Sequence, residues 1–282
     1  MIPAEFDYVA PDSLEDVLQA LSQGGEDAKL LAGGHSLLPL MKLRLAAPSL
    51  LVDLRKVSGL TGIQRANGGW RIGALTPHAE LEHTPDLGVI AVAAGTIADP
   101  QVRNRGTIGG SLAHGDPASD LPAVMLITEA SVTLRGSGGE RSVAAADLFK
   151  NYLQTAVGPD EVLTEVHIPS FDGWGFGYEK FNRRSEDWAM VGVSAVVKAS
   201  DGQCEDVRIG LTNMGSVPLR ASAVEEALRG QPLSAETIAS AAEQAAEGTD
   251  PPADLNASAE YKRHLARVLT RRALEQAAGL SS

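Results

Sequence analysis

Cysteine is nearly absent from this sequence of 282 residues, and its scarcity excludes two kinds of protein. The one cysteine is Cys204, so the chain can form no internal disulfide. The chain also cannot hold an iron–sulfur cluster on its own thiolates, because such clusters take several cysteine ligands. Cys204 is interpreted as an inert small residue, and any iron–sulfur centre has to come from a partner.

Basic residues are scarce as well. The sequence has 24 Lys and Arg against 36 Asp and Glu, which gives a net charge of −12. Nucleic-acid binding requires clustered Lys and Arg that neutralise phosphates, whereas the basic residues here are scattered or in short pairs such as 183–184 and 271–272. We interpret both pairs as solvated surface and expect no nucleic-acid partner.

Long apolar runs are missing too. No run reaches the roughly 18 residues that a membrane-spanning helix needs. Residues 1–7 lack the basic and apolar regions of a secretory signal peptide. The sequence therefore predicts no transmembrane segment and a cytoplasmic location, including the inner face of the membrane.

The spacing of apolar residues predicts a mixture of helices and strands, with fold class α+β. Ser13 is expected to cap the first helix, and Pro77 is expected to be the first residue of a short helix. Residues 99–119 are predicted to form a long functional loop, because they are rich in Gly, Pro, Asp, Asn and Ser. Other predicted elements are strands at 29–32, 50–54, 70–74, 130–134, 163–168, 191–198 and 207–211, a hairpin turn at 136–139, and helices at 89–98, 220–229, 234–247 and 257–278.

A glycine-rich stretch at 173–177 marks a predicted domain boundary. The N-terminal domain is expected to cover residues 1–175, with subdomains of about 1–57 and 58–175, and the C-terminal domain residues 176–282. The C-terminal domain is predicted to combine antiparallel strands with three helices.

A first glycine loop follows the predicted strand at 29–32. Residues 32–39 read AGGHSLLP. Two adjacent glycines allow close approach of the backbone to a ligand, and consecutive N–H groups in such a turn attract an anion. Pyrophosphate suits this arrangement, and a plain tight turn is the alternative.

A second loop of the same kind lies at residues 105–120, which read RGTIGGSLAHGDPASD. It repeats the Gly-Gly-Ser sequence and adds polar residues before an apolar segment. Two such loops in one domain suit a dinucleotide that is held at both ends. Neither loop matches the P-loop pattern or the Gly-x-Gly-x-x-Gly of a Rossmann site.

These residues also contain features of three other kinds of site. A serine nucleophile at Ser36 is rejected, because Leu38 stands where a nucleophile elbow needs glycine. A zinc site is not expected, since His78 and His83 are five residues apart and so off one helix face. The region of residues 116–120 is interpreted as a turn aspartate followed by a ribitol hydroxyl acceptor or helix N-cap, in preference to a catalytic carboxylate pair.

The two motifs together resemble the signatures of a known family. AGGHSLLP at 32–39, followed by MKLR at 41–44, is similar to the first FAD signature of the medium subunits of molybdenum hydroxylases. TIGGS at 107–111, with DPASDLP at 116–122, resembles the second. This family includes the flavoprotein subunits of carbon monoxide dehydrogenase and of xanthine, nicotine, quinoline and caffeine dehydrogenases, and the resemblance covers the whole chain.

The resemblance implies noncovalent FAD in a domain of two α/β subdomains, of the type found in vanillyl-alcohol oxidase, followed by a C-terminal α+β domain. It implies that the first loop and its strand hold the pyrophosphate, and that the second loop contacts pyrophosphate, ribitol and isoalloxazine. The matching positions are Lys29, Leu30, Leu31, Ala32, Gly33, Gly34, His35, Ser36 and Leu37 for the first loop, Ala98, Val102, Gly106, Thr107, Gly109, Gly110, Ser111, His114 and Asp120 for the second, and further Leu163 and Lys180.

The sequence departs from many relatives at His35 and His114, and His35 resembles the carbon monoxide dehydrogenase branch. Trp188 stands just before a predicted strand. It is expected either to pack in the core or to lie beside the flavin ring and restrict access to it.

By this resemblance the chain is an electron-transfer oxidoreductase subunit. A large subunit with the molybdenum cofactor is expected to oxidise the substrate, and a small [2Fe–2S] subunit to pass the electrons on, within a dimer of heterotrimers. The complex is expected to be a carbon monoxide dehydrogenase or a xanthine, nicotine, caffeine or quinoline type of dehydrogenase. Other classes left open are a stand-alone flavin oxidase and a non-enzymatic assembly or regulatory protein that keeps the fold. No catalytic residue and no metal ligand is expected on this chain.

Overall fold

The computed structural model describes residues 2–66 and 68–280. Met1 and Asn67 of the predicted N-terminal domain, and residues 281–282 of the predicted C-terminal domain, lie outside the described residues. In chain order the strands are β1 (Asp7–Val9), β2 (Ala28–Leu31), β3 (Leu50–Asp53), β4 (Ile63–Ala66), β5 (Gly69–Gly73), β6 (Ser131–Gly136), β7 (Gly139–Ala144), β8 (Phe149–Asn151), β9 (Gln154–Thr155), β10 (Val162–Pro169), β11 (Gly175–Phe181), β12 (Val191–Ser200), β13 (Gln203–Thr212) and β14 (Leu219–Arg220). The helices are α1 (Leu14–Gly24), α2 (Leu37–Lys42), α3 (His78–Glu82), α4 (Val89–Gly95), α5 (Pro100–Arg103), α6 (Ile108–His114), α7 (Asp120–Ile127), α8 (Ala145–Leu148), α9 (Ser222–Leu228), α10 (Ala235–Ala242) and α11 (Ala259–Ala277).

The N-terminal sheet consists of three parallel strands in the order β1-β3-β2. Helix α1 connects β1 to β2, as parallel strands require a crossover connection. The Oγ atom of Ser13 accepts the Asp16 N–H at 3.1 Å and caps α1 as predicted. Val17 and Leu21 of α1 are buried together with Val52 of β3, so this sheet has a small core of its own.

The second sheet is antiparallel throughout, in the order β4-β5-β10-β6-β7. The predicted turn at 136–139 joins β6 to β7, with Gly136 paired to Gly139. Ile72, Val132 and Val166 from the central strands are buried against the α4 and α7 side chains. Ile108 and Leu112 of the second glycine loop are buried in the same core.

The third sheet is also antiparallel, in the order β11-β12-β13-β14. Val193 of β12 is buried in a core with α11, whereas Val196 is buried in the core of the second sheet. Strand β12 is therefore covered on both faces, which explains why residues 191–197 are all buried, without the alternation of a strand that has one face in solvent.

Helix α7 lies between the second and third sheets. It contacts α4 and α6 of the N-terminal part of the chain and also β12 and β13 of the third sheet. A helix that is apolar all round is typical of such a buried position, and most α7 side chains are buried. Its first residue is Asp120, so the packing of α7 places that carboxylate where the sheets meet.

The predicted mixture of helices and strands is confirmed, including antiparallel β12 and β13 and the three helices α9, α10 and α11. Among the residues that the structure describes, no helix combines the length and the hydropathy needed to cross a bilayer.

The predicted loop at 99–119 is wrong, because α5 and α6 lie within it. Side-chain caps explain these helices: Asp99 Oδ1 accepts the Val102 N–H at 2.9 Å, and Thr107 Oγ1 accepts the Gly110 N–H at 3.1 Å. The position of Pro77 is also corrected, since it is the N-cap of α3, with an extended backbone, and not the first helical residue.

Candidate functional site

The first glycine loop turns the chain from β2 into α2. Gly34 has a φ of +80°, which a residue with a side chain rarely adopts. A Cβ atom on Gly33 would lie 2.2 Å from the carbonyl oxygen of Arg105. Gly33 therefore allows the first loop to touch the segment that begins the second loop.

The second loop is anchored to the chain before α3. The Gly106 carbonyl accepts the His78 N–H at 3.0 Å, and the Thr76 carbonyl accepts the Ile108 N–H at 3.1 Å. A Cβ atom on Gly109 would lie 2.5 Å from the Cβ of Ala74, so a larger residue could not pack here. These contacts fix the start of α6 against the chain that follows β5 of the second sheet.

The two loops line one cleft of about 690 Å³, a size within the range of small-molecule and cofactor sites. All the residues that the family signature indicated line this cleft, namely Lys29, Leu30, Leu31, Ala32, Gly33, Gly34, His35, Ser36, Leu37, Ala98, Val102, Gly106, Thr107, Gly109, Gly110, Ser111, His114, Asp120, Leu163 and Lys180. The structure thus brings together residues from β2, α2, α6, α7, β10 and β11.

Sequence reasoning missed part of the lining. The β8–β9 hairpin contributes Leu153, Gln154 and Thr155, and a Cβ on Gly115 would lie 2.7 Å from Thr155 Cγ2, so the hairpin packs against the end of α6. The turn of this hairpin carries no Asn-Gly or Asp-Gly signal, and Leu153 has a φ of +54°. Nothing in the sequence pattern marked it as part of a site.

A buried charged group joins the third sheet to the cleft. Lys180 Nζ on β11 lies 3.0 Å from Asp120 Oδ2 on α7, and each side chain is about 5% exposed or less. The Tyr178 hydroxyl donates to Asp120 Oδ1 at 2.7 Å, and Lys180 also donates to the Thr96 carbonyl at 3.0 Å. Burial raises the pKa of Asp120, while Lys180 and Tyr178 act in the opposite direction.

This geometry refines the interpretation of residues 116–120. Asp116 is a turn aspartate, as predicted, since its Oδ1 accepts the Ala118 N–H at 2.8 Å. Asp120 is not a helix N-cap, because Ser119 holds that position and the Asp120 carboxylate is directed to Lys180 and Tyr178.

His78 is a second residue that sequence reasoning missed as part of the cleft. The sequence pattern concerns His78 only as a zinc ligand, whereas the structure places its buried ring beneath the second loop, with Nε2 3.2 Å from Ser111 Oγ. Burial lowers the pKa of His78 to about 4, with smaller contributions from His35 and Arg103. The imidazole is therefore neutral at physiological pH.

Trp188 also lines the cleft, and it is 54% exposed. The core-packing alternative for Trp188 is therefore wrong. Glu186 and Asp187 line the cleft from the same segment, which follows β11. This segment gives the cleft one wall with an exposed aromatic side chain.

Cys204 is buried, and burial raises the pKa of its thiol to about 11. Burial and the raised pKa both disfavour the reactive thiolate form, in agreement with the interpretation of Cys204 as an inert residue.

The backbone of the first loop suits an anionic group. In the described part of the chain, the N–H groups of Gly34, His35 and Ser36 make no backbone hydrogen bond. Successive N–H groups of this kind form an anion-binding nest, and the glycines leave room for close approach. The donors, the two adjoining loops and the cleft volume fit a dinucleotide with a pyrophosphate.

Fold and site together define a dinucleotide-binding protein with an additional α+β domain. The family model described as "FAD binding domain in molybdopterin dehydrogenase" matches residues 4–171, and "CO dehydrogenase flavoprotein C-terminal domain" matches residues 176–277. The chain belongs to this family of FAD-binding subunits of molybdopterin dehydrogenases and is an oxidoreductase component.

Curated relatives span nearly the whole chain. The carbon monoxide dehydrogenase medium chain of Hydrogenophaga pseudoflava is 42% identical, with 98% of each chain covered. The 6-hydroxypseudooxynicotine dehydrogenase complex subunit alpha of Paenarthrobacter nicotinovorans is 40% identical, with 98% of this chain and 96% of the relative covered. A solved structure of carbon monoxide dehydrogenase from Hydrogenophaga pseudoflava, which lacks the Mo-pyranopterin moiety, matches with a TM-score of 0.96, 43% identity and full coverage of both chains.

Proposed function

We propose that the cleft between the glycine loops holds FAD noncovalently and that the chain acts as the electron-transfer subunit of a heterotrimeric molybdenum hydroxylase. The observation that carries the proposal is the contact between the loops at Gly33, which creates one continuous cleft. In this arrangement residues 29–37 hold the pyrophosphate. Positions from Ala98 to Asp120, with Leu163 and Lys180, contact the ribitol and isoalloxazine portions.

FAD supplies the ability to accept electrons singly and store two of them. The chain's own residues bind and orient the cofactor and exclude water from it. The Lys180–Asp120 pair places one buried cation and one buried carboxylate on the cleft wall, where they can act on the charge of the ring. No residue of this chain is assigned as a general acid or base.

The proposed partners are a large subunit with the molybdenum cofactor and a small subunit with [2Fe–2S] clusters, in a dimer of heterotrimers. The single cysteine supports this division of labour, because the chain cannot supply cluster ligands itself. Relatives named as a medium chain or as a subunit of a complex support it as well.

We also propose a cytoplasmic location and a domain division at residue 175, with subdomains of about 1–57 and 58–175.

Sequence identity to the relatives does not distinguish between the possible substrates of the complex. Identities of 42% to a carbon monoxide dehydrogenase chain and 40% to a 6-hydroxypseudooxynicotine dehydrogenase chain are nearly equal. His35 favours carbon monoxide dehydrogenase, and the nicotine, xanthine, caffeine and quinoline types are the alternative. A stand-alone oxidase would have to oxidise an organic substrate as an isolated chain.

The visible absorption spectrum of the purified full chain tests the proposal, together with chromatography of the cofactor that acid releases. We expect flavin peaks, one FAD per chain, and release of the flavin on denaturation without covalent attachment. A protein that stays colourless after addition of FAD would contradict the proposed site. Molybdenum and iron analysis of the complex captured from source cells then tests the partners, with both metals expected.

A further inference from the structure

The ring of His78 is held in one place beneath the second glycine loop. Its backbone N–H donates to the Gly106 carbonyl at 3.0 Å, and an antiparallel bridge pairs Pro77 with Thr107. A Cβ on Gly106 would lie 2.8 Å from His78 Cδ2, so the ring packs directly on the loop backbone. The side chain is only 3% exposed.

The surroundings of the two ring nitrogens define the tautomer. Nε2 lies 3.2 Å from Ser111 Oγ, whereas the buried Nδ1 has no hydrogen-bond partner within residues 2–66 and 68–280. A proton on Nδ1 would leave a buried N–H donor without an acceptor, which is rarer and more costly than an unpaired acceptor. The hydrogen-bond pattern therefore assigns the proton to Nε2.

This tautomer determines what Ser111 can do. With its proton on Nε2, His78 donates to Ser111 Oγ, and the hydroxyl proton of Ser111 must point elsewhere. Ser111 lines the cleft and is partly exposed to it. Because the Ser111 hydroxyl does not donate to His78, its proton stays available for an acceptor in the cleft.

We propose that His78 is a positioning residue for the cofactor: it orients the Ser111 hydroxyl so that this hydroxyl donates a hydrogen bond to an oxygen of bound FAD. The inference rests on the proposed location of FAD in this cleft. His78 acts through Ser111 and does not itself have to touch the cofactor. The neutral imidazole supports this role, because burial holds the pKa of His78 near 4 and Nδ1 stays unprotonated.

A double-mutant cycle with FAD as the probe separates this role from simple packing. The full chain is stripped of flavin, and the Kd for FAD is measured by fluorescence titration for S111A, H78M, H78Q and the H78M/S111A double variant. His83→Gln is the control, since His83 is exposed at the end of the same helix. Thermal unfolding of each apo variant reports whether it is folded.

Loss of a hydrogen bond to a charged or strongly polar group weakens binding by roughly tenfold or more, so we expect that increase in Kd for S111A. H78M should lose nearly as much affinity for FAD, and the double variant should bind FAD no more weakly than S111A. H78Q should restore the affinity, because its amide can donate to Ser111. The inference would be overturned if the increases in Kd caused by H78M and by S111A multiplied in the double variant. An unchanged Kd in folded H78M would also overturn it. Absence of FAD binding by both the wild type and His83→Gln would instead overturn the proposed function.

Discussion

At the scale of single residues, Gly33 and Gly138 differ in what surrounds them, although both are glycines of turns. The space for a Cβ at Gly33 is taken by the Arg105 carbonyl at 2.2 Å, whereas nothing lies within 4 Å of a Cβ at Gly138. The glycine–glycine pattern at 33–34 indicated a close approach to a ligand. It could not show that Gly33 itself approaches the other loop.

Gly33→Ala is therefore expected to separate the two loops and to weaken FAD retention by about tenfold or more, equivalent to at least ~1.4 kcal/mol of binding free energy. Gly138→Ala should retain FAD like the wild type. The flavin-to-protein ratio after gel filtration measures the difference, with circular dichroism as the check on folding. Equal ratios for both variants would show that the loop contact is unimportant for the cofactor.

Trp188 lies on the cleft wall with its side chain largely exposed. We expect that it covers the isoalloxazine and restricts access to it, so Trp188→Ala should increase flavin fluorescence and accelerate reoxidation of the reduced flavin by oxygen severalfold. Tyr261→Ala is a suitable control, because Tyr261 is 44% exposed and lies outside the cleft lining. Unchanged fluorescence and oxygen reactivity in Trp188→Ala would exclude this role.

At the scale of elements, apolar periodicity was sufficient where one face of an element is buried. Helix α1 was predicted from its cap at Ser13 and its apolar face. The short helices α5 and α6 were not predicted, because each depends on a single side-chain cap, from Asp99 and Thr107 respectively. Glycine in α6 lowers helix propensity, and tertiary contacts with Ala74 override it.

The site was predictable to the extent that it consists of contiguous motifs. Both loops were marked by glycine pairs, and they line one cleft. His78 and the β8–β9 hairpin come from segments without such a pattern, and only the tertiary fold brings them to the cleft. The pairing of Asp120 with Lys180 likewise depends on the packing of α7 against the third sheet, which no local pattern encodes.

At the scale of the whole molecule, the cofactor cleft and the joint between the sheets share the same charged residues. Asp120 belongs to α7, and Tyr178 and Lys180 belong to β11, so the hydrogen bonds of one carboxylate join the N-terminal part of the chain to the third sheet. Removing one partner of a buried ion pair leaves an uncompensated charge, which typically costs about 3–5 kcal/mol.

Lys180→Met should therefore destabilise the apo protein strongly, and calorimetry should resolve earlier unfolding of the third sheet from unfolding of the rest. The matched control is Lys198→Met, because the Lys198–Glu205 pair is nearly half exposed and pairs of that kind contribute roughly 0–1 kcal/mol. The double variant Lys180→Met/Asp120→Asn should recover part of the lost stability, since the buried negative charge is then absent.

FAD extends the same argument to the holoprotein. A ligand that binds only the folded state stabilises it by RT ln(1 + [L]/Kd), about 2.7 kcal/mol at a hundredfold excess over Kd. If the Asp120–Lys180 pair couples both parts of the chain, FAD should raise the unfolding temperature of the wild type, and unfolding should remain a single transition. In Lys180→Met, FAD should stabilise the glycine-loop part and leave the transition of the third sheet nearly unmoved. An equal shift of both transitions in that variant would mean that apolar packing around α7, and not the ion pair, transmits the stabilisation.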